Sequence, residues 1–231
     1  MSPLSTALRR ALFFGLCCLC ACCAFPHAQA ARKIKRMPLA DPAQASTEDG
    51  RMRLKYLINC ALPAGVIVET EADGKRYEFP GDLGLASEWS QRALTAEESR
   101  WVSACILART NYFGREVKIS IRADPAPAGR LTADSEERAR FPLHEAGFFG
   151  NIFSPDAPAY VCIGDESPQR ESPLRALYRI CSLPDGRHLD DGRALSYCNF
   201  IVTESCSTRP FVQGGVDYSG QVVHIYLQLP R

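Results

Sequence analysis

Cysteine placement constrains this chain more than any other feature. Of its 11 cysteines, Cys17, Cys18, Cys20, Cys22 and Cys23 crowd into the first 30 residues, and Cys60, Cys105, Cys162, Cys181, Cys198 and Cys206 are spread over the rest. Residues 1–30 have the parts of a secretory signal. Arg9 and Arg10 supply the positive start, Ala11 to Phe25 the apolar run, and Ala28-Gln29-Ala30 an A-x-A cleavage site. An even number of cysteines in an exported chain implies disulfides, and so a fold tied covalently where its core is thin. No C-x-x-C occurs after the signal, so the spacing supports neither a zinc ribbon nor a thioredoxin-like site.

The apolar run has 15 residues, short of the about 20 that span a bilayer. Leu19-Cys20-Ala21-Cys22 resembles a lipobox, in which the last cysteine is acylated. Cleavage after Ala30, lipidation at Cys22 and an uncleaved anchor are all open. Each leaves the body of the protein periplasmic, outer-membrane-associated or secreted. Membrane contact is expected only through the lipid or the uncleaved signal.

Charge narrows the partners. The chain totals +1, which gives no field for nucleic acid. Residues 31–37 carry four basic side chains, whereas 38–231 hold 21 basic and 26 acidic ones, a net −5. With 46% hydrophobic and 23% charged residues, the chain has enough apolar surface to fold. Residues 31–51 read as a basic arm and flexible linker, and 52–231 as a single α+β domain.

Periodicity places the elements. Leu54, Leu57, Ile58 and Ala61 follow helical spacing, stopped by Pro63 and Gly65. Val66 to Glu71 and Lys75 to Phe79 flank the hairpin signal Asp73-Gly74. Thr95-Ala96-Glu97-Glu98 is a capping box opening a helix with Trp101, Ala104, Cys105 and Ala108 on one face. Val117, Ile119 and Ile121 alternate as a strand, as do Val223, Ile225, Leu227 and Leu229. Ser135 to Arg140 suits a short helix, and Tyr160–Cys162 and Phe200–Val202 suit short strands. The expected fold has N-terminal helices packed with short antiparallel strands and long loops, stapled by disulfides. Cys60 and Cys105 fall on the inward sides of the two helices, which predicts a Cys60–Cys105 bridge, with the other four cysteines pairing among themselves.

Leu57-Ile58-Asn59-Cys60-Ala61-Leu62-Pro63, Gly81-Asp82-Leu83-Gly84-Leu85-Ala86 with Trp89, Trp101 through Asn111, and Glu145-Ala146-Gly147-Phe148-Phe149-Gly150-Asn151 resemble, as a set, a family of uncharacterised exported proteins and lipoproteins of Gram-negative bacteria. The resemblance implies an envelope or extracellular location and cystine pairing, and it transfers no catalytic residue.

Candidate chemistry is sparse. His144-Glu145 begins like a zincin helix, but position 148 is Phe rather than His. His188 and His224 are not at ligand spacing from His144, so no metal or cofactor is expected. Glu145, ahead of an aromatic run, has the setting of a general acid for envelope polysaccharide, which would need a second carboxylate such as Asp82, Glu136 or Glu137. Cys105, His144 and Asn151 have the residue types of a cysteine hydrolase, although Cys105 lies well inside its helix. Arg109, at a helix end, suits either the helix carbonyls or an anion clamp. Trp101 belongs to the core, and Trp89, in a loop, is expected to be exposed for binding. With no complete catalytic set, the expected function is binding of an envelope component or secreted partner. The alternatives are the polysaccharide hydrolase and a structural component.

Overall fold

A computed structural model describes residues 42–114, 116–127, 130–154, 158–165 and 179–229, together with the backbone of 32–34. The signal and both processing routes lie outside the described residues.

The chain folds earlier than its composition suggests. Residues 42–46 form a 3₁₀ turn that buries Ala45, and α1 (Glu48–Ala61) follows at once, with the Gly50 amide donating to Thr47 Oγ1 at 3.0 Å. The linker expected up to residue 51 is therefore structured from 42 onward. Gly50 is required there, because a Cβ would run into the Gln44 carbonyl. The backbone of β1 (Arg32–Ile34) pairs in parallel with Val66–Val68, within the arm expected to be flexible.

β2 (Val66–Ala72) and β3 (Lys75–Pro80) form the expected hairpin, with Asp73 and Gly74 both at positive φ (51° and 69°). The segment after β3 caps α1. Amides of Leu83, Leu85 and Ala86 donate to the carbonyls of Asn59, Cys60 and Ala61 at 2.8–3.1 Å. The Gly81–Ala86 run thus satisfies helix-end carbonyls that would otherwise be orphaned. The same fold-back carries Trp89 into the core at 0% exposure, so the expectation of an exposed Trp89 is corrected: a loop that caps a buried helix end is itself buried. Trp101 is core, as expected.

The larger part is a seven-stranded sheet in the order β4-β12-β5-β6-β9-β8-β7. Its strands are β4 (Ile119–Arg122), β5 (Leu143–Gly150), β6 (Ala159–Ile163), β7 (Pro184–His188), β8 (Ala194–Ser196), β9 (Ile201–Ser205) and β12 (Val223–Leu227). A two-stranded ribbon, β10 (Val212–Gln213) and β11 (Val216–Asp217), precedes β12, and α3 (Ser135–Arg140) lies between β4 and β5. Helix α2 (Ala96–Arg109) packs on β5 and β12 and on α1. The fold is α+β, but sheet-dominated rather than a set of helices packed with short strands. Buried side chains fill both faces: Trp101, Val102, Ala146, Phe148 and Ile225 on the helix side, and Phe149, Tyr160, Phe211 and Tyr218 on the other.

Three cystines join the elements. Cys60–Cys105 ties α1 to α2 with Cα atoms 6.0 Å apart, as expected. Cys162–Cys206 links β6 to the turn after β9, and Cys181–Cys198 anchors the segment before β7 to the β8–β9 turn. Among the described residues no helix is long and apolar enough to cross a membrane.

Candidate functional site

Helix α2 ends at Arg109 beside the outer face of α1 and the start of β4. A cleft opens there in two adjoining lobes of about 530 and 780 Å³, which share Tyr56, Arg109, Asn111 and Glu116. Volumes of this size suit a small organic ligand. One side is apolar, with Met52, Leu57, Ile106, Ile152 and Phe153. Val117, Ile119 and Ile121 continue it along β4. The cleft is also lined by five cations, Arg53, Lys55, Arg109, Lys118 and Arg179, against the carboxylates Asp49 and Glu116. Two of the five, Arg109 and Arg179, face the carboxylates of Asp82 and Glu145 outside the lining, which leaves a small local excess of positive charge on a body that is net negative over 38–231.

The two central arginines are held by partners on neighbouring elements. The Arg109 guanidinium donates to Asn59 Oδ1 on α1 and lies 3.6 Å from Asp82. It therefore bridges the two helices rather than closing the carbonyls of its own. Burial pulls the Arg109 guanidinium below its ordinary value, and the Asp82 charge only partly opposes this. An anion in the cleft would relieve that loss of solvation.

Arg179 takes the helix-end role instead. Its Nη1 donates to the Ala108 carbonyl, and its Nε donates to Glu145 Oε2 at 3.2 Å. The side chain is only 2% exposed, yet it lines the cleft, and its Nη2 has no hydrogen-bond partner among the described residues. The Cys181–Cys198 cystine, two residues on, fixes the segment that delivers it.

This pairing overturns the role considered for Glu145. The carboxylate is 0% exposed and ion-paired to Arg179, so it faces no substrate and cannot serve as the acid of an open glycosidase cleft. Asp82, one of the suggested second carboxylates, instead faces Arg109. Cys105 is locked in its cystine and offers no thiolate to a cysteine-hydrolase triad. Asn151 shapes a turn: its Oδ1 accepts from the Phe153 amide at 3.1 Å, and the Ile152 amide donates to Ser103 Oγ at 2.9 Å. That turn sets Ile152 and Phe153 at the edge of the cleft, so Asn151 contributes by positioning. Of the three residues expected to bind, Arg109 alone lines the cleft. Arg179 was missed because it precedes an unremarkable loop, and only its unpaired guanidinium nitrogen marks it.

His144 and His224, which sequence spacing kept apart, meet across the sheet, with Nε2 and Nδ1 3.0 Å apart. Burial, and secondarily the neighbouring His144, push His224 down to about 4.

No protein-family model matches the chain, and no curated protein or solved structure shows significant similarity to it.

Proposed function

We propose that the protein is an exported, cystine-stapled binding module that holds a small ligand with an anionic head and an apolar body. One observation carries this reading: Arg179, almost wholly buried, lines the cleft with its Nη2 unpaired among the described residues. A buried guanidinium nitrogen without an acceptor costs free energy, and a carboxylate or phosphate oxygen in the cleft would recover it once a small displacement of the wall uncovers Nη2, which is shielded from solvent. Arg109 stands in the same cleft, and the apolar wall of Met52, Ile106, Ile152 and Phe153 suits an alkyl or similar body. The three cystines support an oxidising compartment, in keeping with the export signal and with the resemblance to exported envelope proteins.

Titration of the oxidised protein with decanoate, decyl phosphate and decanol tests the reading. The two anions should bind one per chain and the alcohol at least about tenfold more weakly, the equivalent of one charge-assisted hydrogen bond. Phe153→Asp on the rim should weaken the anions without unfolding the domain, since Phe153 is exposed. Equal binding of alcohol and anions, or binding of neither anion, would reject the proposal.

A further inference from the structure

A second cluster lies away from the cleft, on the sheet face that carries Phe149 and Tyr160. β12 runs between β4 and β5, and His224 faces Gly147 across the β12–β5 pair. The register of that pair slips between Ile225 and Tyr226, so Ile225 faces Ala146 while Tyr226 faces His144. Glu145 is the extra residue. The bulge turns His144 onto the face of Gly147 and His224 instead of that of Ala146, the re-aiming that a β-bulge allows. On the other flank Cys162 of β6 also faces Gly147, and it is bonded to Cys206.

Gly147 is the gap into which these groups converge. A Cβ there would stand 2.7 Å from Cys162 Sγ and 3.0 Å from His224 Nδ1. Ligand atoms of His144, His224 and Cys206 lie within 4.8 Å of one another. Two nitrogens on one tetrahedral zinc, each at about 2.0–2.1 Å, are about 3.3 Å apart, close to the 3.0 Å separation of His144 Nε2 and His224 Nδ1. With Cys162 the donors are two sulfurs and two imidazoles, the set of a closed structural zinc site.

We propose that Cys162, Cys206, His144 and His224 form a redox-gated site for a zinc-class divalent cation. In the oxidised chain the sulfurs are bonded to each other and are poor ligands. A dithiol reductant delivers two electrons and two protons: the S–S bond breaks, two thiols form, and the reductant becomes a disulfide. Binding of the cation then releases the two thiol protons and completes the S₂N₂ set. Reoxidation by a disulfide oxidant reverses the exchange and expels the metal. The 5.0 Å Cα separation of Cys162 and Cys206 keeps the Cys162 thiol next to that of Cys206, the sulfur that lies with the histidine pair, after the bond opens.

Cobalt(II) reports the ligand set directly in the full chain, oxidised or reduced with a phosphine. The oxidised chain should show no thiolate-to-cobalt absorption. The reduced chain should bind one cobalt, displaced by zinc, with the intensity of two thiolates and the visible bands of a tetrahedral site. His144→Gln and His224→Gln should each weaken binding about tenfold or more and shift those bands, although every thiol remains. The double variant Cys181→Ser, Cys198→Ser should bind as the parent does. Failure of the reduced chain to bind, or binding indifferent to both histidine variants, as from an unfolded reduced chain, would overturn the site. Equal binding by the oxidised chain would overturn the gating.

Discussion

Burying Glu145 beside Arg179 takes two charges out of water, and the structure compensates unevenly. Arg179 reaches Glu145 and the Ala108 carbonyl, but its Nη2 and Glu145 Oε1 have no partners among the described residues. Removing one member of a buried pair strands the other, at a typical cost of about 3–5 kcal/mol. Glu145→Ala should therefore lower stability by about that amount in thermal or denaturant unfolding. A loss under about 1 kcal/mol would mean that the pair is solvated. Neither residue announces this from the sequence. The acidic side chain before an aromatic run was visible, but its partner lies 34 positions away. A lone carboxylate in apolar surroundings reads equally well as an acid or as half of an ion pair.

Elements with local signatures were legible. The capping box at the start of α2 is present, with the Glu98 amide donating to Thr95 Oγ1 at 3.1 Å and the Thr95 amide to Glu98 Oε2 at 2.8 Å. The Asp73-Gly74 hairpin and the alternation of β12 needed no distant information either. β5 has no local strand signature, because six consecutive residues, Glu145–Gly150, are buried, so neither face is polar and the period-2 signal vanishes. The Arg92 guanidinium holds the Glu98 carboxyl below its ordinary value of 4.5, helped by Thr95. The folded chain therefore takes up this proton at lower pH than the unfolded chain. The stabilising share of Glu98 is complete above about pH 4.5 and is lost as pH falls through the depressed folded value. Glu98→Gln should lower stability at neutral pH and flatten its fall on acidification. A parallel acid profile for variant and parent would contradict that coupling. Thr95→Ala should cost about 1 kcal/mol through loss of the cap, read in denaturant unfolding.

At the scale of the molecule, the cystines hold together what the chain order separates. Cys60–Cys105 closes 45 positions between the two helices, and Cys162–Cys206 closes 44 within the sheet. Chain-entropy arguments give bridges of this span about 4 kcal/mol each. Full reduction should lower the melting temperature markedly, and non-reducing peptide mapping should return these two pairs with Cys181–Cys198. The helix pairing was legible because both cysteines sit on inward faces of amphipathic segments. The other two pairings were not, because they depend on a sheet order that short strands do not encode locally. The cleft is a property of the whole molecule too: α1, α2, β4, the 151–154 turn and a cystine-anchored loop meet there. Its most direct test is the side-chain ¹H–¹⁵N spectrum of the arginines during titration with decanoate, resonances being assigned by conservative Arg→Lys variants. The account predicts saturable movement of the Arg179 and Arg109 guanidinium signals with decanoate and none with decanol. Unmoved Arg179 signals at saturating decanoate, or the same movement with the alcohol, would contradict it.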